Sequence, residues 1–92
     1  MNQQTRNILQ RSLSLINDYI EDRISLSRLV SSLEGSLNAL EEKMPDQFYK
    51  LWYVYWSNLE IVLSLGIKPE TKQKIIGDLI ELEKIINNQL LG

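Results

Sequence analysis

Three glutamates stand where carboxylates could act as general acid and base. Glu34 and Glu41 are seven residues apart and share one face of a helix, and Glu60 projects from the next. Such work needs one carboxyl held in apolar surroundings, so that it keeps its proton near neutral pH. All three flank an apolar seam instead of lying in it, so solvated edge charges are the expectation. The chain has no histidine and no cysteine, which removes imidazole bases, thiol nucleophiles and the common zinc ligand sets. A ferritin-like di-iron bundle fails for the same reason, because its Glu-x-x-His pairs cannot be built. The four glycines are scattered at 35, 66, 77 and 92 and form no phosphate-cradling loop. The sequence therefore predicts a protein that is not an enzyme and uses no metal or other cofactor.

Lys68, Lys72 and Lys74 form a small basic cluster. Aromatic residues do not interleave it, and 10 basic against 12 acidic residues give a formal charge of −2, so nucleic acid is not an expected partner. The longest unbroken apolar run, Leu51 to Trp56, is far short of the ~20 residues that span a bilayer. The first residues, Met1 to Thr5, lack the charged and apolar regions of a signal peptide. Absence of cysteine fits a reducing compartment. A cytoplasmic protein without membrane contact is the expectation.

The aromatic residues carry the strongest signal. Phe48, Tyr49, Trp52, Tyr53, Tyr55 and Trp56 are six of the seven in the chain. On a helical wheel at ~100° per residue, Phe48, Trp52, Tyr55, Leu59 and Val62 form one seam, which leaves Val54, Ile61 and Leu65 clustered on another side. Tyr49, Tyr53, Trp56 and Glu60 line a further flank, where a ring can bury while its hydroxyl or indole N–H finds a polar partner. Three explanations fit this apolar surplus: a core with unusually wide faces, a homodimer interface, or a surface for a different protein. The candidate partner-binding residues are Tyr49, Tyr53, Val54, Trp56, Ile61 and Leu65. A small-molecule pocket beside Trp52, Tyr55 and Trp56 is the alternative.

The elements that must position these residues are four helices, at about 3–21, 26–43, 46–65 and 69–90. Leu9, Leu13, Ile16 and Ile20 form the first stripe, flanked by Ile8, Leu15 and Tyr19. Leu26, Val30, Leu33, Leu37, Leu40 and Met44 recur at alternating steps of four and three in the second. Ser25 suits its cap, and Pro45 follows its end. Opposite that seam sit Ser32, Gly35 and Ala39, small residues that could admit a close neighbour, although a solvated face is the expectation. Gly66 provides a left-handed stop for the third helix, with Ile67 folding back as its apolar contact. Pro69 and Glu70 open the last, whose seam is Ile75, Leu79, Leu82, Ile86 and Leu90. Ile76, Ile80 and Leu91 lie beside or behind it, and could extend the surplus of the third helix into one patch.

Short connections favour antiparallel neighbours, hence an all-α, four-helix up-down-up-down bundle forming a single helical domain over 1–92. A pair of hairpins that completes its core only as a dimer is the rival. A strand at Leu51 to Trp56 is disfavoured by the three-four spacing that continues to Val62.

The run Ile24-Ser25-Leu26-Ser27-Arg28-Leu29-Val30 leading into Leu33 and Leu37, followed by Phe48 through Trp56 and Leu59-Glu60, resembles small stand-alone bacterial proteins of immunity or antitoxin type. About half the chain carries the resemblance. It implies a helical protein that occludes a partner, commonly a toxin encoded nearby, and it transfers no binding residue. Many such proteins are strongly acidic; a charge of −2 departs from that and speaks against mimicry of a nucleic acid.

Overall fold

Asn2 begins the first helix: its side-chain oxygen accepts from the Thr5 N–H at 2.8 Å and satisfies one of the donors that a helix start leaves free. A computed structural model describes residues 1–66 and 69–91, apart from the side chains of residues 69–71, and the described residues form four helices. These are α1 (Gln3–Ile20), α2 (Leu26–Ala39), α3 (Asp46–Leu65) and α4 (Pro69–Leu91). Ser25 caps α2 as expected, its hydroxyl accepting from the Arg28 N–H at 3.2 Å. Pro45 precedes α3 without a side-chain cap, and Asp46 places a carboxylate in the first turn, where the helix dipole favours it. The expectations resting on Ile67, Lys68 and the Glu70 side chain lie outside the described residues.

The second helix ends at Ala39, four residues before the expected boundary near 43. Leu40 is extended (φ −67°, ψ 116°). Two forces act on the connection that follows. Pro45 disfavours helical geometry at Met44, and the Glu42 carboxylate accepts from the Asn2 N–H at 3.0 Å at the start of α1. Met44 is still buried, but it arrives from a connection and not from a helix, and its N–H donates to the Tyr49 hydroxyl at 3.1 Å. The four-three spacing thus outlasts the helix that produced it.

Each helix packs on two others, α1 on α2, α2 on α3, α3 on α4 and α4 on α1, and among the described residues the backbones of diagonal helices do not approach closely. Segment 51–56 is helical, and the ring closes around a core within one chain. Glu42 ties the end of the α2 side to the start of α1, and Lys72 at the start of α4 bonds Asp22 just past the end of α1. Both ties join opposite ends of neighbouring helices, as antiparallel packing would.

The core contains Leu9, Ile16, Leu26, Leu33, Trp52, Leu59, Ile75, Leu79, Leu82 and Ile86, so one stripe from each helix turns inward. In α1 that stripe is rotated from the expected one. Thr5, Leu9, Ser12, Ile16 and Tyr19 are buried, while Leu13 and Ile20 are half-buried. Two small hydroxyl residues belong to the buried face, and a reading based on hydrophobicity passes over them. Ser12 is satisfied by donating to the Ile8 carbonyl at 3.0 Å, a bond that keeps a hydroxyl compatible with burial. Leu29 and Ile85 are also buried, which widens the inward faces of α2 and α4.

Gly66 ends α3 at φ 90° and ψ 146°. This is positive φ as expected, but it lies near the extended region open almost only to glycine instead of the left-handed helical one. Gly77 is different: it sits inside α4 with nothing among the described residues within 4 Å of where a Cβ would be. Gly77→Ala is expected to raise stability by about 1 kcal/mol, since it removes a flexible residue from a helix interior without a clash. Denaturant unfolding should show a higher midpoint at unchanged slope.

Lys72 joins two tasks at the base of the bundle. Its ammonium bonds the Asp22 carboxylate and lies 5.0 Å from the centre of the Tyr19 ring. The bond to Asp22 raises the Lys72 pKa, and burial raises that of the Tyr19 hydroxyl. Both groups therefore hold their protons to higher pH in the folded than in the unfolded chain. Their stabilisation is complete below the unfolded values, roughly 10 for both types, and is lost as pH rises through the folded ones. Asp22→Asn should weaken the Lys72 part of this alkaline loss, read by thermal melts in steps of pH. Glu42 behaves oppositely, because the Asn2 N–H lowers its pKa. Its contribution is present above the ordinary carboxylate range and fades as pH falls through the lowered value.

Candidate protein-interaction surface

The surplus predicted for α3 divides in two. Tyr53, Val54, Ile61 and Leu65 are exposed, at 49, 55, 56 and 81% of their full surfaces. Val54, Ile61 and Leu65 repeat at steps of seven and four, so they form a ridge along the outer side of the helix. Tyr53 flanks it. Lys50 lies one turn before it and Glu60 beside its middle; both are exposed and make no ion pair among the described residues.

Tyr49 and Trp56 are half-buried against the core. Their polar atoms are used inside the chain. The Tyr49 hydroxyl accepts from Met44, and the Trp56 indole N–H donates to the Val30 carbonyl at 3.0 Å. The rings of Tyr53 and Trp56 meet edge to face, with centroids 6.2 Å apart and planes at 87°, an orientation favoured by aromatic quadrupoles. Trp56 thus holds α3 to α2 and supports Tyr53 from beneath. Trp56→Phe is expected to lose about 1 kcal/mol of stability through the missing hydrogen bond, whereas Ile61→Asp should leave the melting temperature nearly unchanged. Comparing the two melts separates supporting residues from surface residues.

The ridge does not continue onto α4. Asn58 donates to the Asp78 carboxylate at 3.2 Å across the α3–α4 boundary. Ile80 follows Asp78 by two residues, roughly 200° around the helix, so it points away from α3. Leu91 shares the side of Ile80, and both are exposed.

Other candidate chemistry is dispersed. Glu34, Glu41 and Glu60 are all exposed, and among the described residues no three acidic side chains converge as a metal site. Lys72 is occupied by Asp22 and Tyr19, while Lys74 is exposed. Trp52 is buried against Phe48, with ring centroids 5.6 Å apart. An open groove of about 270 Å³ lies elsewhere, between α1 and α2, lined by Ile8, Arg11 and Leu15 on one side and by Ser32, Gly35, Ser36 and Ala39 on the other. The small residues placed opposite the α2 seam therefore form one wall of a recess. Its other wall comes from α1, which the sequence of α2 cannot reveal. No helix among the described residues is long and apolar enough to cross a membrane. No family model, curated protein or solved structure matches the chain.

Proposed function

We propose that this chain is a small, non-catalytic protein-binding bundle of the bacterial cytoplasm, which occludes a partner protein in the manner of immunity proteins or antitoxins and also self-associates. The observation that carries this reading is the exposed ridge of Val54, Ile61 and Leu65, with Tyr53 at its flank. Large aliphatic side chains aligned on one face lose unfavourable hydration when a second surface covers them. Tyr53 adds a rigid aromatic anchor with a hydroxyl at its tip, the residue type that dominates interface energetics. Tyr49 and Trp56 serve the surface indirectly, by fixing α3 and supporting Tyr53. The half-buried and buried positions of Trp56 and Trp52 give the alternative, an aromatic-lined ligand pocket, no specific support.

Affinity capture of the tagged protein from its native cells, run beside Ile61→Asp and Val54→Asp, tests the reading. A protein recovered near stoichiometry with the parent and lost with both variants, at unchanged circular dichroism melts, supports it. Equal recovery with all three sinks the proposed surface.

A further inference from the structure

Resting on that reading, we propose that one partner of the α3 ridge is a second copy of this chain, which receives the ridge in the groove between its α1 and α2. The contact is head-to-tail: the ridge of one copy meets the groove of the next, and the two surfaces lie on different helices of the same chain.

Three features lead to this pairing. Spacing is the first. Val54 and Ile61 are seven residues apart, two helical turns or roughly 10 Å along the axis. Ile8 and Leu15 on one wall of the groove have the same separation, as do Ser32 and Ala39 on the other. A helix ridge fits a groove whose repeat it shares, whereas two convex ridges offer each other no recess.

The second feature is Gly35. Glycine inside a helix is about 1 kcal/mol less favourable than alanine, and among the described residues nothing lies within 4 Å of the position its Cβ would take. Folding does not require this glycine. An incoming helix would, because the absent side chain deepens the groove at the middle of its wall.

Charge is the third. Arg11 is the one charged residue lining the groove, and Glu60 is the one charged residue of α3 between Leu51 and Leu65. Both are exposed, and neither is in an ion pair among the described residues. Docking supplies each with an opposite charge at the edge of an apolar contact, which sets direction and register more than strength. Because ridge and groove are different surfaces, each copy keeps one of them free after pairing. Association then continues into rings or filaments instead of stopping at a two-fold dimer.

Sedimentation equilibrium on the full chain decides the matter. The parent should rise above its 10.7 kDa monomer mass as concentration increases. Ile61→Asp removes the ridge, and Gly35→Leu fills the groove with a side chain whose Cβ meets none of the described residues of the monomer. Each variant alone should stay monomeric with an unchanged helical spectrum, yet an equal mixture should form a complex of about 21 kDa, twice the monomer mass, since each supplies the surface that the other lacks. Glu60→Arg and Arg11→Glu should each weaken association about tenfold, and together restore it. A parent that remains monomeric at every concentration overturns the proposal, as does a mixture that forms no complex. A Gly35→Leu variant that dimerises as well as the parent overturns it too, and shows α3 pairing with itself. Loss of self-association leaves the capture result on Ile61→Asp intact, so the inference can fail, and self-association with it, while the binding of a different protein by the ridge stands.

Discussion

Trp52→Ala is expected to lower stability by about 3–5 kcal/mol, the loss typical of truncating a large aromatic side chain in a packed core. Trp52 is buried at 1% exposure beside Phe48 and belongs to the same cluster as Leu33, Leu59 and Leu82. A chain of 92 residues has a total stability of roughly 5–14 kcal/mol. The change therefore removes a large share of it, and the melting temperature should drop by at least about 12 °C. Trp52→Phe is the informative companion. The Trp52 indole N–H is buried without a hydrogen-bond partner, and an orphaned donor costs about 1–3 kcal/mol. Phenylalanine removes that donor while leaving a smaller cavity, so its stability should fall within about 1 kcal/mol of the parent. Chemical denaturation of both variants checks the pair. A Phe variant as unstable as the Ala variant would mean that the indole N–H is satisfied after all.

Gly66→Ala is expected to cost about 1–3 kcal/mol, the strain of placing a side chain at φ 90° and ψ 146°. Among the described residues nothing lies within 4 Å of the would-be Cβ, so no steric clash with them contributes. The penalty is conformational. Gly77→Ala also meets open space, but there the backbone is helical and the effect has the opposite sign. The two substitutions thus form a matched test: the same added methyl should lower the unfolding midpoint at one site and raise it at the other. Equal effects would mean that backbone geometry at Gly66 is not what requires glycine.

The candidate surface was legible only in part. Val54, Ile61 and Leu65 could be assigned to an outer side from wheel position alone, because they lie far from the seam of their own helix. Tyr49 and Trp56 could not. They lie near the edge of the seam, where a few degrees of helix rotation decide between core and surface, and their hydrogen bonds reach Met44 and Val30 outside α3. Thr5 and Ser12 were missed for a related reason: small hydroxyl residues enter a buried stripe without any hydrophobic signal.

The sequence alone determined that the chain folds as four helices, and where three of them begin and end to within a residue or so. Apolar period, Ser25, Pro45, Gly66 and Pro69 act within a turn or two of themselves, so their effects can be read locally. It also determined that no histidine or thiol chemistry is open to this chain. Tertiary structure decided the rest: how each helix is rotated in the ring, how early α2 stops once Glu42 bonds Asn2, which aromatics are held inside, and that small residues of α2 face Ile8 and Leu15 across a groove. Those outcomes depend on residues far apart in sequence meeting at distances of a few ångströms, and periodicity along one helix carries no information about what packs against it.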